Sequence, residues 1–179
     1  MMETCVGVTW LKFCSQIARL TGDSKPFDDI EKYVYNGLIG AMKPSGDGFS
    51  YVNLLNGNKV VNYGWGWNFD KQYVTCCNLN GPMGLAYLPY VAVMKDCKGP
   101  VVNLYNAATA DTSTPNGKKL HLDITGDFPK TGEVVIRVTP QKKEKFDIKL
   151  RIPSWSKNTV LKINGKEMPA EPGEYAVVT

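Results

Sequence analysis

Two short motifs carry the residue types best suited to chemistry: the triplet Glu3-Thr4-Cys5 and the adjacent pair Cys76-Cys77. Adjacent cysteines do not bridge to one another without backbone strain, so the pair is read as two thiols. The expected place for it is just ahead of a helix, where unpaired backbone N–H groups and the helix dipole favour a thiolate. Three sulfurs and one carboxylate, from Glu3, Cys5, Cys76 and Cys77, match a tetrahedral zinc site in number and softness. The spacing is not that of a zinc finger, and taken alone it leaves a metal site and core cysteines both open. The chain has five cysteines. An odd number argues against a complete disulfide framework, and Cys14 and Cys97 read as buried free thiols.

These motifs need elements to bring them together. Thr4 to Leu20 is apolar on most sides, as in a helix deep within a larger protein, and Gly22 is placed to end it in the left-handed conformation. A second helix begins at Pro26, with Asp28 and Asp29 at the positive end of its dipole. Ile30, Tyr33, Val34, Gly37, Leu38 and Ala41 form its apolar stripe. Asn56-Gly57 is a hairpin turn between Phe49–Leu55 and Asn58–Tyr63. A third helix is expected over about Met83 to Met94, capped by Asn80, with Pro82 in its first turn and Pro89 kinking or shortening it.

After Lys98-Gly99-Pro100 the apolar period becomes two. Val101, Asn103 and Tyr105 alternate, then Leu120, Leu122 and Ile124, then Val134, Ile136 and Val138, then Phe146, Ile148, Leu150 and Ile152, then Leu161 and Ile163. Asn164-Gly165 marks a further turn. Short strands separated by turn residues predict an antiparallel β-sandwich. The chain therefore reads as α then β, with a boundary near residue 98. Tyr175–Thr179 reads as a strand at which the sequence stops with no later strand to pair with. Together with the abrupt start at Met1-Met2, this predicts a piece of a larger protein.

Composition excludes several classes. Of 179 residues, 43% are hydrophobic and 21% charged, which fits a folded chain and not a disordered tail. The net charge of +4 is spread along the sequence and gives no nucleic-acid footprint. No apolar run approaches the ~18 residues of a membrane-spanning helix. Nothing resembles a signal peptide at the N-terminus, and the location in the cell, bacterial cytoplasm or periplasm, is left open.

Glu3-Thr4-Cys5, Arg19-Leu20-Thr21-Gly22-Asp23, Tyr35-Asn36-Gly37, Phe49-Ser50-Tyr51-Val52-Asn53, Cys76-Cys77, Leu150-Arg151-Ile152-Pro153-Ser154-Trp155 and Ile163-Asn164-Gly165 occur in this order. The ordered set resembles glycoside hydrolase family 127, the bacterial β-L-arabinofuranosidase-like enzymes. The resemblance implies that residues 1–98 are the C-terminal portion of an (α/α)6-barrel catalytic domain, and that residues 99–179 are a β-sandwich truncated at its C-terminus. It implies zinc held by Glu3, Cys5, Cys76 and Cys77, with Cys76 as nucleophile and Tyr51 as an active-site hydroxyl. Trp65 and Trp67, with Tyr63, are candidates to stack on a sugar ring, the alternative being loop packing.

The resemblance also implies what is missing. The family's general acid/base, a glutamate, lies upstream of the Glu-x-Cys motif and so outside this chain. His121, the single histidine, falls on an alternating strand with a surface or packing role, and Glu31 reads as solvated. The implied partner is a carbohydrate substrate, with either an upstream barrel segment or self-association covering apolar helix surface at Leu11, Phe13, Leu38, Leu85 and Leu88. Two other readings compete: a non-catalytic carbohydrate-associated sandwich module, and a structural zinc protein.

Overall fold

A computed structural model describes residues 2–53 and 76–179. It divides into two compact units, Met1–Leu88 and Pro89–Thr179. The expected hairpin at Asn56-Gly57, and Tyr63, Trp65 and Trp67, lie outside the described residues.

In the first unit, β1 (Met2–Glu3) leads directly into α1 (Thr4–Thr21). Gly22 ends α1 with φ 73°, and its N–H donates to the Ala18 carbonyl at 2.8 Å. Glycine adopts this left-handed angle without the clash a Cβ would bring. α2 (Lys25–Tyr33) has Pro26 in its first turn. It continues through a π turn at Val34–Leu38 into α3 (Ile39–Ala41), where the sequence reading expected one uninterrupted helix. Phe27, Ile30, Glu31, Val34 and Leu38 all point inward. Glu31 is therefore buried at 4% exposure rather than solvated, because its position falls on the i, i+3, i+4, i+7 stripe that packs against α1. Leu11 and Leu38 are likewise fully buried, not exposed as expected. The open apolar residues of α1 are Val6, Trp10, Phe13 and Leu20.

β2 (Val52–Asn53) pairs antiparallel with β1, Glu3 opposite Val52. α4 spans Cys76–Ala92, so it starts seven residues before the expected Met83. Cys76 and Cys77 lie within its first turn, not ahead of it, and Asn80 is an interior residue, not a cap. Pro82 and Pro89 both sit inside the helix. Both prolines occupy exposed positions, where each ordinarily costs a helix about 3 kcal/mol, and α4 runs through them all the same. The helix ends before Val93, which with Met94 belongs to a strand.

The second unit is built of strands: β3 (Val93–Lys95), β4 (Pro100–Val102), β5 (Ala108–Ser113), β6 (Lys119–Gly126), β7 (Val134–Pro140), β8 (Ile148–Arg151), β9 (Leu161–Ile163), β10 (Lys166–Met168) and β11 (Tyr175–Val178). One sheet has the order β5-β6-β7 and is antiparallel throughout. The other has the order β11-β8-β4-β3. Its β4–β8 pair is parallel, a departure from the purely antiparallel expectation. β11 has a partner after all: it returns to β8, with Tyr175 opposite Arg151. β9 and β10 form a hairpin in which Asn164 (φ 49°) and Gly165 (φ 84°) supply the two positive angles that the dipeptide predicts.

The core of this unit is Val102, Leu120, Leu122 and Ile124, with Val93, Ile136, Val138 and Leu150 packed against it. It draws on both sheets, and Leu120, Leu122 and Ile124 are the alternate residues of β6, as period-two burial requires. Arg151 is fully buried, and its Nε donates to the Asn103 carbonyl at 2.7 Å. Asn103 in turn donates to the Val91 carbonyl at 2.9 Å and accepts from the Tyr175 hydroxyl at 2.6 Å. Cys97, expected to be buried, is exposed in the turn between β3 and β4, whereas Cys14 is buried in α1.

Candidate metal centre

Four side chains from three elements converge at the start of α1. Glu3 ends β1, Cys5 lies in the first turn of α1, and Cys76 and Cys77 open α4. One ligand atom from each, a carboxylate oxygen and three Sγ atoms, all lie within 4.8 Å of one another. Cys5 Sγ is 3.4 Å from Cys77 Sγ, and Cys76 Sγ is 4.0 Å from Cys77 Sγ. A disulfide needs sulfurs about 2.05 Å apart. Zn–S bonds of about 2.3 Å in a regular tetrahedron set the sulfurs about 3.8 Å apart, between the two observed separations. The donor set therefore fits a thiophilic divalent ion in both chemistry and spacing.

Local hydrogen bonds hold the four in place. The Thr4 N–H donates to the Tyr51 carbonyl at 3.0 Å, and the Thr4 hydroxyl to the Ser50 carbonyl at 2.6 Å, which extends the short β1–β2 pairing into α1. The Phe49 N–H donates to Asn78 Oδ1 at 2.8 Å, tying the segment before β2 to α4. Gly81 lets the Phe49 ring lie against the α4 backbone: a Cβ there would sit 2.3 Å from Phe49 Cγ. Asn80 Nδ2 donates to Cys5 Sγ at 3.2 Å, and the Cys77 thiol reaches the Tyr51 carbonyl at 3.8 Å. Asn80, Asn78 and Tyr33 escaped the sequence reading as supports of the cluster. Asn80 would have been legible had the helix been started at Cys76, since it lies three and four residues on from the pair and so on the same face.

The electrostatics point the same way. Burial pushes the Cys77 thiol well above the ordinary thiol range, and its hydrogen bond with Cys5 adds to this. Burial also raises Cys5. Tyr33, whose hydroxyl donates to the Thr4 carbonyl at 3.2 Å, is pushed up to about 12 by burial and by the nearby Cys5 and Cys77 sulfurs. Burial thus favours neutral thiols at Cys5 and Cys77, the reverse of the thiolate expected from the helix dipole, and a divalent cation is what would offset it. Cys77 is completely buried, Glu3 and Cys5 are half-buried, and Cys76 is the exposed member of the four. Cys76 is thus the sulfur most open to a reactant, Cys5 is partly covered and Cys77 is sealed.

Tyr51 stands beside this cluster. The Glu3 carboxylate raises its ionisation above the usual phenol value and accepts its hydrogen bond, and Cys76 and Cys77 contribute further. The phenol is held as a donor, not as a phenolate. His121 has no part in this group of residues. It sits on β6, with Nδ1 2.7 Å from Asp111 and Nε2 3.4 Å from Asp123.

Comparison with known proteins bears on both units. A family profile described as beta-L-arabinofuranosidase, GH127 catalytic domain, matches residues 1–89, and one described as beta-L-arabinofuranosidase, GH127 middle domain, matches residues 100–179. A non-reducing end beta-L-arabinofuranosidase from Bifidobacterium longum subsp. longum is 27% identical over 176 residues, 92% of this chain and 26% of that protein. Among solved structures, a glycoside hydrolase superposes with a TM-score of 0.83 at 26% identity, over 98% of this chain and 30% of its own. A GH127 beta-arabinofuranosidase gives 0.82 at 26% identity with the same coverages. A GH127 beta-L-arabinofuranosidase from Geobacillus stearothermophilus T6 shares the fold, with a TM-score of 0.80 at 24% identity over 98% of this chain and 29% of its own. The chain spans about a quarter of the length of the curated relative and under a third of these structures. With both profiles matched in order and helices followed by sheets as in these relatives, the chain belongs to glycoside hydrolase family 127.

Proposed function

We propose that this chain supplies the nucleophile and the metal ligands of a zinc-dependent retaining glycoside hydrolase acting on β-L-arabinofuranosides or related plant-glycan sugars. In this reading residues 1–98 form part of an (α/α)6 barrel, and residues 99–179 form a β-sandwich. The observation that carries it is the convergence of Glu3, Cys5, Cys76 and Cys77 within 4.8 Å, with Cys76 alone exposed.

A retaining glycosidase needs a nucleophile on one face of the anomeric carbon and a proton donor for the leaving oxygen. A free thiol, with a pKa of ~8.5, is mostly protonated at neutral pH. Zinc bound by Glu3, Cys5, Cys76 and Cys77 would keep the sulfurs deprotonated and in fixed positions. Cys76 then attacks the anomeric carbon. The glycosidic C–O bond breaks, the leaving oxygen takes a proton from an acid, and a sugar is left joined to sulfur. Water, giving up a proton to the conjugate base of that acid, then attacks from the face the leaving group vacated and breaks the C–S bond, so configuration is retained and both the acid and the thiolate are regenerated. Cys77, which is sealed, and Cys5, which is half-buried, hold the cluster. Tyr51 has one O–H proton, which here goes to Glu3; with Glu3 engaged as a metal ligand, that proton would be free to turn to the reacting sulfur or to a sugar hydroxyl. The acid/base glutamate is supplied by sequence upstream of these residues.

The test is hydrolysis of an aryl β-L-arabinofuranoside by this chain and by a form extended upstream. The expected result is little or no turnover by the 179-residue chain and turnover by the longer form. Cys76→Ser in the longer form should lower kcat/KM by about 10⁴-fold or more, the scale of losing a covalent nucleophile. Near-normal rates for Cys76→Ser with zinc still bound would favour the structural zinc reading, to which the complete burial of Cys77 also lends support. Full turnover by the short chain would contradict the placing of the acid.

A further inference from the structure

The motif Leu150-Arg151-Ile152-Pro153-Ser154-Trp155 has no part in the chemistry proposed above, yet it walls a cavity of about 300 Å³ in the strand-rich unit. We propose that this cavity is a second carbohydrate site, one that holds a mono- or disaccharide unit against Trp155 without cleaving it.

Three aromatic rings form one wall. Trp155 is 57% exposed, and its ring stacks on Phe128 at 6.3 Å with 19° between planes. Phe128 meets Tyr105 edge-on at 6.3 Å and 76°. The Tyr105 hydroxyl donates to the Arg151 carbonyl, anchoring the stack to the end of β8. Such a chain of contacts fixes the indole at little entropic cost and leaves much of it uncovered. The wall around it includes the apolar side chains Ile136 and Leu161, and Glu133, Ser156 and Thr159 add a carboxylate and two hydroxyls. The two hydroxyls are bonded to each other at 2.6 Å, and Thr159 also donates to the Ser156 carbonyl at 3.2 Å, so what they offer a ligand is acceptor oxygens held in fixed positions.

This combination selects a ligand class. Sugar rings carry apolar C–H faces and a rim of hydroxyls, and the lining offers flat aromatic surface beside groups that bind hydroxyls. A phosphorylated ligand is disfavoured by Glu133. The single cationic side chain of the lining, Arg151, is fully buried and donates to the Asn103 carbonyl. The volume is at the small end of ligand pockets, about 300–1,000 Å³, which suits one or two sugar rings. The choice of a pentoside probe rests on the family reading. The site itself shares no residue with the cysteine cluster, so the two can fail separately.

The experiment is a titration of the 179-residue chain carrying Cys76→Ser, so that no probe is consumed, with methyl β-L-arabinofuranoside and with methyl β-D-xylopyranoside. The methyl resonances of Ile136 and Leu161 report binding, and circular dichroism checks that each variant folds. The expected result is a saturable shift with at least one pentoside. Trp155→Ala should weaken it about tenfold, the loss of one aromatic stacking contact, while Trp155→Phe preserves most of it. No shift with either pentoside overturns the proposal, as would be the case if another part of a longer protein fills the cavity. An equal response to cyclohexanol, or an undiminished response in folded Trp155→Ala, also overturns it. Absence of zinc from the wild-type chain, or of turnover by the form extended upstream, would instead count against the proposed activity and leave this result unaltered.

Discussion

At the scale of single residues, the sequence motifs and the geometry agree best where the chemistry is most demanding. Glu3 and Cys5 are two residues apart and Cys76 and Cys77 are adjacent, yet seventy residues separate the two motifs. Only the fold brings Cys5 Sγ to 3.4 Å from Cys77 Sγ. Residue types alone could name these four as donors. What they could not supply was the difference between them: Cys77 is sealed and Cys76 is open. The same limit applied to Glu31, whose charge suggests solvent while its helical position places it inward. His121 gives a residue-level prediction. Hydrogen bonding to Asp111, with Asp123 adding to it, raises its pKa above the ordinary 6.5, against the smaller opposing effect of desolvation. The protonated form is thus favoured in the folded state. Its stabilising contribution is complete below the unfolded pKa and is lost as pH rises through the raised folded value. NMR titration should give a His121 pKa above 6.5 that falls in Asp111→Asn. An unchanged value in that variant would show that the carboxylate does not control the ring.

At the scale of elements, the departures have physical causes. α4 was expected to start near Met83 because Pro82 suits a first turn and Asn80 suits a cap. Instead, Asn78 and Asn80 spend their side chains on the Phe49 N–H and the Cys5 sulfur. β5 left no signal, since Ala108–Ser113 has no alternation of large apolar residues and lies largely exposed. β6 was legible because its inward residues Leu120, Leu122 and Ile124 are nearly all the core its sheet needs. The parallel β4–β8 pair cannot be read from alternation, which reports faces and not strand direction. In the helical unit Phe49 lies hard against Gly81, and this contact gives a prediction. Gly81→Ala gains about 1 kcal/mol of helix propensity. It also drives a Cβ into a buried ring, which costs roughly 1–3 kcal/mol or more in a packed core. With Phe49 only 3% exposed, the ring has little room to yield. The expected outcome in urea unfolding is net destabilisation, and a stabilised variant would show that the segment before β2 yields easily.

At the scale of the molecule, two units of different construction share one chain. Helices and a four-donor cluster make the first, and two sheets around a common core together with the β9–β10 hairpin make the second. No helix among the described residues is long and apolar enough to cross a membrane. Val6, Trp10, Phe13 and Leu20 leave an apolar strip on α1. Because the cluster lies wholly in the first unit, metal removal should act there. A chelator is expected to raise amide exchange in peptides from α1 and α4 while leaving β6 and β7 unchanged. A loss of ~2 kcal/mol in the first unit would lower its Tm by roughly 10 °C. Equal loosening of β6 and β7 would contradict a metal effect confined to the helical unit.

If one acid and three sulfurs hold a single divalent ion, metal analysis of the purified chain after equilibration with zinc will find it. The expected content is about one zinc per chain, falling steeply in Cys77→Ser and in the Cys76→Ser/Cys77→Ser double variant. A metal-free wild-type chain, or a double variant with undiminished zinc, would contradict it.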